Sequence, residues 1–115
     1  MDPKIWGPHL WFFLHSMSFT YAKNRKKATT EEKIQMYTFL ESLRFVLPCD
    51  ICKKNYSNYL LDYPPRLDSR KELFEWLVDL HNCVNGECKK SNKRLYTYDE
   101  VEKLYNTAYG VKKQK

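Results

Sequence analysis

Glycine is scarce in this chain of 115 residues: Gly7, Gly86 and Gly110 are all it has. No hairpin-forming dipeptide stands between alternating apolar stretches, so the turn chemistry of an antiparallel sheet is missing. The longest unbroken apolar run, Leu10 to Leu14, falls far short of the roughly 20 residues that span a bilayer. No basic segment opens the chain, because Asp2 and Pro3 stand in its place, and no secretory signal is expected. Internal repeats, low-complexity stretches and linkers are absent as well. One soluble domain over 1–115 follows, large enough for a single hydrophobic core and with no membrane partner expected.

What the chain does have is aromatic bulk and positive charge. Aromatic residues make up 16% of it, and such rings bury large areas and also make good walls for a planar ligand. The net charge of +6 concentrates in Arg25-Lys26-Lys27, Lys89-Lys90, Lys93-Arg94 and the tail Lys112-Lys113-Gln114-Lys115. Most of this reads as solvated surface. No recognised nucleic-acid module accompanies it, so nucleic acid is not an expected partner. Basic residues between 89 and 94 suit the phosphates of a cofactor instead. Four cysteines in a chain without a signal point to catalytic or metal chemistry before a structural framework.

Apolar periodicity and capping residues divide the chain into five helices. The first runs from about Trp6 to Tyr21 and offers Ile5, Leu10, Phe13, Leu14 and Met17 to the core. After a polar connection, Thr29 and Glu32 form a capping box for a second helix carrying Ile34, Tyr37, Leu40, Leu43 and Leu47. Pro48 ends that helix and suits the first position of a third, short one reaching about Leu61. Pro64-Pro65 stops it. Ser69 with Glu72 is a second capping box, before a fourth helix whose Leu73, Trp76, Leu77, Leu80 and Val84 make the cleanest apolar stripe. Asn85-Gly86 supplies its stop, and Thr97 with Glu100 caps a last helix holding Val101, Leu104, Tyr105 and Ala108. The expected fold is all-α, a compact four-helix bundle plus a short fifth helix.

Chemistry concentrates in Cys49-Asp50-Ile51-Cys52. A CxxC by itself is open among zinc ligation, thioredoxin-like exchange and a structural clip. Its spacing puts both sulfurs within one turn at a helix start, where unpaired N–H groups and the helix dipole favour a thiolate. Lys53 and Lys54 add positive charge. Trp11 and His15 lie four apart on one face of helix one, and His81 and Asn85 four apart on one face of helix four. These two pairs, with Trp76, are expected to line a flat slot with aromatic faces and polar edges.

Three blocks now stand in order: Trp6-Gly7-Pro8-x-x-Trp11-x-x-x-His15, Pro48-Cys49-x-x-Cys52 and Trp76-x-x-x-x-His81-Asn82-x-Val84-Asn85. In order and spacing they resemble the Erv/ALR family of FAD-linked sulfhydryl oxidases, over about residues 5–109 with a basic tail at 110–115. The short single-domain members encoded by large DNA viruses are the most similar. The resemblance implies FAD held at one end of the bundle, and a homodimer. It implies a catalytic disulfide Cys49–Cys52 against the isoalloxazine ring. Cys49 would receive the attack of a substrate thiolate, and Cys52, next to the flavin, would hand on the electron pair, with O2 reduced to hydrogen peroxide. The implied FAD-binding set is Trp6, Gly7, Trp11, His15, Tyr59, His81, Asn82, Val84 and Asn85. Tyr98 falls where relatives often place a tryptophan against the adenine, and Lys89 or Lys90 would meet the pyrophosphate. No metal site is implied.

The chain departs from many cellular relatives in two ways. Five residues precede Trp6 and neither end carries a cysteine, so no intrachain shuttle disulfide is expected. A separate thiol-bearing redox partner, or client proteins directly, would present thiols to Cys49. Cys83 and Cys88 are the second departure. On a continuous helix their Cα atoms would be roughly 8–9 Å apart, beyond the usual disulfide reach of about 4.4–6.8 Å. A helix ending near Gly86 allows the bond, and a structural disulfide there is expected. A viral member would work in the host cytoplasm or virion; the alternative is the mitochondrial intermembrane space.

Rival readings explain less. A zinc domain on Cys49, Cys52, Cys83 and Cys88 has the right number of thiolates but leaves the Trp and His blocks without a purpose. A thioredoxin-like protein needs a βαβ context that is missing. Lys53 after Cys52 excludes a c-type haem, and Asn55-Tyr56-Ser57, inside the expected third helix, is an accidental glycosylation sequon.

Overall fold

The computed structural model describes residues 1–84 and 97–110. Five helices and no strand stand among them: α1 (Pro3–Ser18), α2 (Thr30–Val46), α3 (Asp50–Asp62), α4 (Arg70–Asn82) and α5 (Tyr98–Ala108). Local chemistry sets where each begins. Asp2 caps α1 by accepting the Lys4 N–H at 2.9 Å, and Pro3 takes a position whose N–H would be unpaired in any case. The helix therefore starts ahead of the expected Trp6. At α2 the capping box is complete: Thr29 accepts the Glu32 N–H at 3.1 Å and Glu32 accepts the Thr29 N–H at 2.8 Å. Thr97 and Glu100 do the same for α5, at 3.1 and 3.0 Å. Only half of the Ser69 box forms, with Ser69 accepting the Glu72 N–H at 3.1 Å.

The α2–α3 corner differs from the expectation by two positions, since α3 begins at Asp50. Cys49, not Pro48, precedes the first turn of α3 as its cap. Pro48 forbids a helical conformation in the residue before it, and Leu47 is extended at φ −57°, ψ 132°. The proline thus ends α2 and hands the cap to the cysteine.

Burial centres on α4, which is covered on two sides. Leu73, Trp76, Leu77 and Leu80 join Leu14 of α1, Leu40 and Leu43 of α2, and Tyr56 and Tyr59 of α3. Phe74 and Val78 turn the other way and pack on Val101 and Tyr105 of α5, with Phe19 alongside. The buried rings satisfy their polar tips: the Tyr56 hydroxyl donates to the Leu40 carbonyl at 2.6 Å, and the Trp76 indole N–H to the Tyr63 carbonyl at 3.0 Å.

Several residues read as core lie outside it: Ile5, Phe13, Ile34, Tyr37, Val84 and Leu104 are all exposed. Periodicity locates an apolar stripe but not its width. α1 packs chiefly on α4 and α2 chiefly on α3, so each keeps an uncovered apolar flank. Among the described residues no helix is long and apolar enough to cross a membrane.

Leu77, with no exposed surface, tests the centre of this packing. Leu77→Ala is expected to cost about 2–5 kcal/mol in urea unfolding, whereas Ile34→Ala on the uncovered flank should stay within about 0.5 kcal/mol.

Candidate active site

Cys49 and Cys52 are joined by a disulfide, their Cα atoms 5.2 Å apart. As the cap of α3, the Cys49 sulfur accepts the Cys52 N–H at 3.3 Å. Neutral sulfur is a weak acceptor, but a thiolate at the same place meets the free N–H groups and positive end of the helix. The adjacent Asp50 does not cancel this, because its carboxylate points into solvent and the Lys53 ammonium stands 3.7 Å from it. Both cysteines are half-buried. Cys52 borders the main core, as do Trp6, Trp11 and Cys83.

On α1, Gly7, Trp11 and His15 follow one another at i, i+4 and i+8 and so share a face. His81, in the last turn of α4, meets Trp11 and His15. The Trp11 and His81 rings stack with centroids 4.0 Å apart and planes 11° from parallel. His15 Nε2 lies 3.4 Å from His81 Nδ1, one ring donating to the other. Trp11, His15 and His81 thus close directly on one another and form a single wall, and Asn85, the remaining member of the two expected pairs, lies outside the described residues.

This wall is electrically neutral. Burial, with His81 adjacent, pushes His15 down to about 3, and burial pushes His81 down to about 4. His15 is 1% exposed, and its Nδ1 is buried without a hydrogen-bond partner. Such an orphan costs about 1–3 kcal/mol and marks a place where a ligand's polar edge would be welcome. At Gly7 a Cβ would meet no heavy atom within 4 Å, so the same face of α1 has open room at that step.

The other expected residues are spread around this centre. Tyr59 is buried between Trp76, at 5.9 Å, and Tyr63, at 4.9 Å between ring centroids. Trp6 is half-buried with its indole N–H 3.4 Å from the Met1 carbonyl. Asn82 is half-buried and Val84 is 62% exposed. The Tyr98 hydroxyl donates to both Asp79 oxygens, at 2.9 and 3.0 Å, and the Arg66 guanidinium holds the same carboxylate at 2.6 Å. Asn85, Cys88, Lys89, Lys90 and the tail 111–115 lie outside the described residues. Cys83 is disulfide-bonded. With Cys49, Cys52 and Cys83 all oxidised, the four-thiolate zinc reading loses its ligands.

Two contributions were missed from sequence. Tyr105 of α5 packs 5.3 Å from the His15 ring and donates to the Trp11 carbonyl at 3.4 Å. Its helical register marked it as core, which it also is. Arg66 and Asp79 hold Tyr98 in place, and no local spacing links the three.

The Erv1 / Alr family model matches residues 8–106. The "Probable FAD-linked sulfhydryl oxidase" of Acanthamoeba polyphaga mimivirus is 38% identical, over 98% of this chain and 78% of that protein. The mitochondrial FAD-linked sulfhydryl oxidase ERV1 of Saccharomyces cerevisiae is 32% identical over 77% of this chain, which spans only 46% of the yeast protein. Among solved structures, the FAD binding domain of Erv1 from Saccharomyces cerevisiae superposes with a TM-score of 0.78 at 29% identity, covering 93% of this chain and 96% of that one.

The buried histidines give stability a sign with pH. Each takes up a proton near pH 6.5 when unfolded but only near pH 3 (His15) or 4 (His81) when folded. Between those values the unfolded chain binds more protons, so stability is full above pH 6.5 and falls as pH drops toward 4. The loss is expected to be on the order of 2–4 kcal/mol, and a His15→Phe/His81→Phe double variant should flatten it. Urea midpoints from about pH 7.5 to 4.5 check this, and a slope unchanged in the variant would refute it.

Proposed function

This chain belongs to the Erv1/Alr family, and on that premise we propose that it is an FAD-linked sulfhydryl oxidase working through Cys49 and Cys52. The observation that carries the reading is a bonded CxxC at the cap of α3, on the border of the core that Trp11 also borders. A substrate thiolate attacks the Cys49 sulfur, the Cys49–Cys52 bond breaks, and Cys52 leaves as a thiolate. A second substrate thiolate then attacks the mixed disulfide and releases Cys49. Two substrate thiols become one disulfide, and the protein pair takes up the two electrons and two protons. The helix start makes Cys49 a stabilised leaving thiolate in the second step, which supports it as the exchanging sulfur. When bound, FAD supplies the two-electron acceptor for the reduced pair, with O2 as the final acceptor and hydrogen peroxide as the product.

The residues present suit that cofactor. The outer face of the Trp11–His81 wall offers a stacking surface, His15 Nδ1 an unanswered polar contact, and Gly7 open room on the same face. The proposed FAD set is Trp6, Gly7, Trp11, His15, Tyr59, His81, Asn82, Val84 and Tyr98, with Asn85, Lys89 and Lys90 beyond the described residues. Cys83 and Cys88 are proposed as a structural clip. A homodimer is supported by the uncovered flank of α1 and α2, where exposed Phe13 packs on Phe39 beside an open hollow of about 320 Å³ lined by Met17, Tyr21, Met36 and Phe39 together with Thr20, Glu32 and Gln35. The chain acts as one domain on thiols of a redox partner or of client proteins. Likeness to the viral relative favours the host cytoplasm or virion as its place of action.

The purified protein should be yellow, and its flavin band should bleach when dithiothreitol is added without air. Cys52→Ser should keep the band and block the bleaching; a colourless protein that cannot be reconstituted with FAD would sink the reading. Losing both Cys83 and Cys88 should leave the bleaching intact.

Gly7 separates fold from cofactor. Gly7→Ala should stabilise the flavin-free protein by about 0.5–1 kcal/mol, since the helix gains a better former and the Cβ meets nothing. Gly7→Leu should leave the helices intact yet weaken FAD retention roughly 10–100-fold. Unchanged FAD affinity in Gly7→Leu would place the cofactor elsewhere.

A further inference from the structure

The surface around Cys49 is apolar. Phe45 and Val46 close α2 at 65% and 66% exposure, and Ile51, between the two cysteines, is 64% exposed. Pro48 is exposed beside them. Consecutive Cα atoms are about 3.8 Å apart, so Val46 and Ile51 have their Cα atoms within about 11 and 8 Å of that of Cys49. The exposure is not that of a loose helix end. Leu43 and Leu47, in the same turns, are each only 9% exposed, so the backbone is anchored while three large apolar side chains face outward.

Most neighbouring charges are already matched, with exposed Lys54 left as one positive charge among the described residues. Arg44 pairs with Glu41 at 2.7 Å and lies over the Phe45 ring at 4.8 Å, and Lys53 pairs with Asp50 at 3.7 Å. What the corner offers a visitor is therefore chiefly apolar contact, beside the single unmatched charge of Lys54. The exchange site itself decides what that visitor is. A thiolate can reach the Cys49 sulfur only if the chain carrying it lies over the residues adjoining Cys49, so the occupant of this surface is the cysteine-bearing segment.

We propose that Phe45, Val46, Pro48 and Ile51 form a substrate-selecting collar that favours client cysteines flanked by a large apolar side chain. This rests on Cys49 being the exchanging sulfur, as in the oxidase reading, but the selection step needs no flavin. Two peptide thiols are oxidised to a disulfide, and the Cys49–Cys52 bond is reduced to two thiols. No other reactant enters.

The test uses two peptides of equal charge, each with two cysteines, flanked by leucine in one and serine in the other. Reduction of Cys49–Cys52 is followed by rapid quench, alkylation and mass measurement of the whole protein. The leucine peptide is expected to react roughly tenfold faster or more, from burying one apolar side chain. That ratio should fall toward one in Phe45→Ser, Val46→Ser and Ile51→Ser. Equal rates with the unaltered protein, or a ratio that survives all three substitutions, would overturn the proposal. If the substitutions dissociate a dimer while the ratio survives, the collar is an interface between copies and selection is again refuted. Flavin content and oxygen uptake with dithiothreitol are measured in parallel. Their absence would strike the oxidase reading while leaving the peptide ratio interpretable.

Discussion

Burial of α4 on two adjoining faces is the constraint from which the rest of the molecule follows. Each large side chain moved from water into such a core contributes about 1.5–3 kcal/mol, and α4 supplies six of them, Leu73, Phe74, Trp76, Leu77, Val78 and Leu80. One side gathers α1, α2 and α3, and the other gathers α5. Phe74, Val78 and His81 continue along one row of the helix at i, i+4 and i+7. The packing that seats Phe74 and Val78 against α5 thereby delivers His81 to the Trp11 ring. The aromatic wall is in this sense a product of the core, and it inherits the core's rigidity.

Features governed by a few neighbouring residues were legible in the sequence. The Thr29 and Thr97 capping boxes form where their spacing placed them, and the Leu73–Leu80 stripe is buried as its period required. A second stripe, Phe74 and Val78, was not separable from the first, because two adjoining apolar faces blur the periodicity of a short helix. Ile34 and Tyr37 sit at the edge of a stripe whose width depends on how many helices arrive to cover it, a tertiary quantity. The α2–α3 corner was misread by two positions because cysteine is not among the usual capping residues.

The candidate site was legible as a set of residues and not as a shape. Trp11, His15 and His81 were named from spacing alone, yet whether rings separate to form a slot or close into a wall depends on helix crossing and rotamers. The Arg66–Asp79–Tyr98 link joins the α3–α4 connection, α4 and the first turn of α5, and no pattern along the chain announces it. Electrostatics divides the same way. The two histidines are uncharged because they are buried together, while the charges around Cys49 stay at the surface, Lys53 paired with Asp50.

The position of Cys49 at the start of α3 sets a limit on how far this protein can be stabilised. Serine or aspartate there would hold the first turn more firmly, by about 0.5–2 kcal/mol relative to a residue that caps poorly. The proposed thiol–disulfide exchange needs sulfur at that same position. On the proposed mechanism the corner is therefore a fixed point in any search for sturdier variants: robustness must be found along α4 and the exposed helix flanks, because the substitutions that local physics recommends at Cys49 would end turnover.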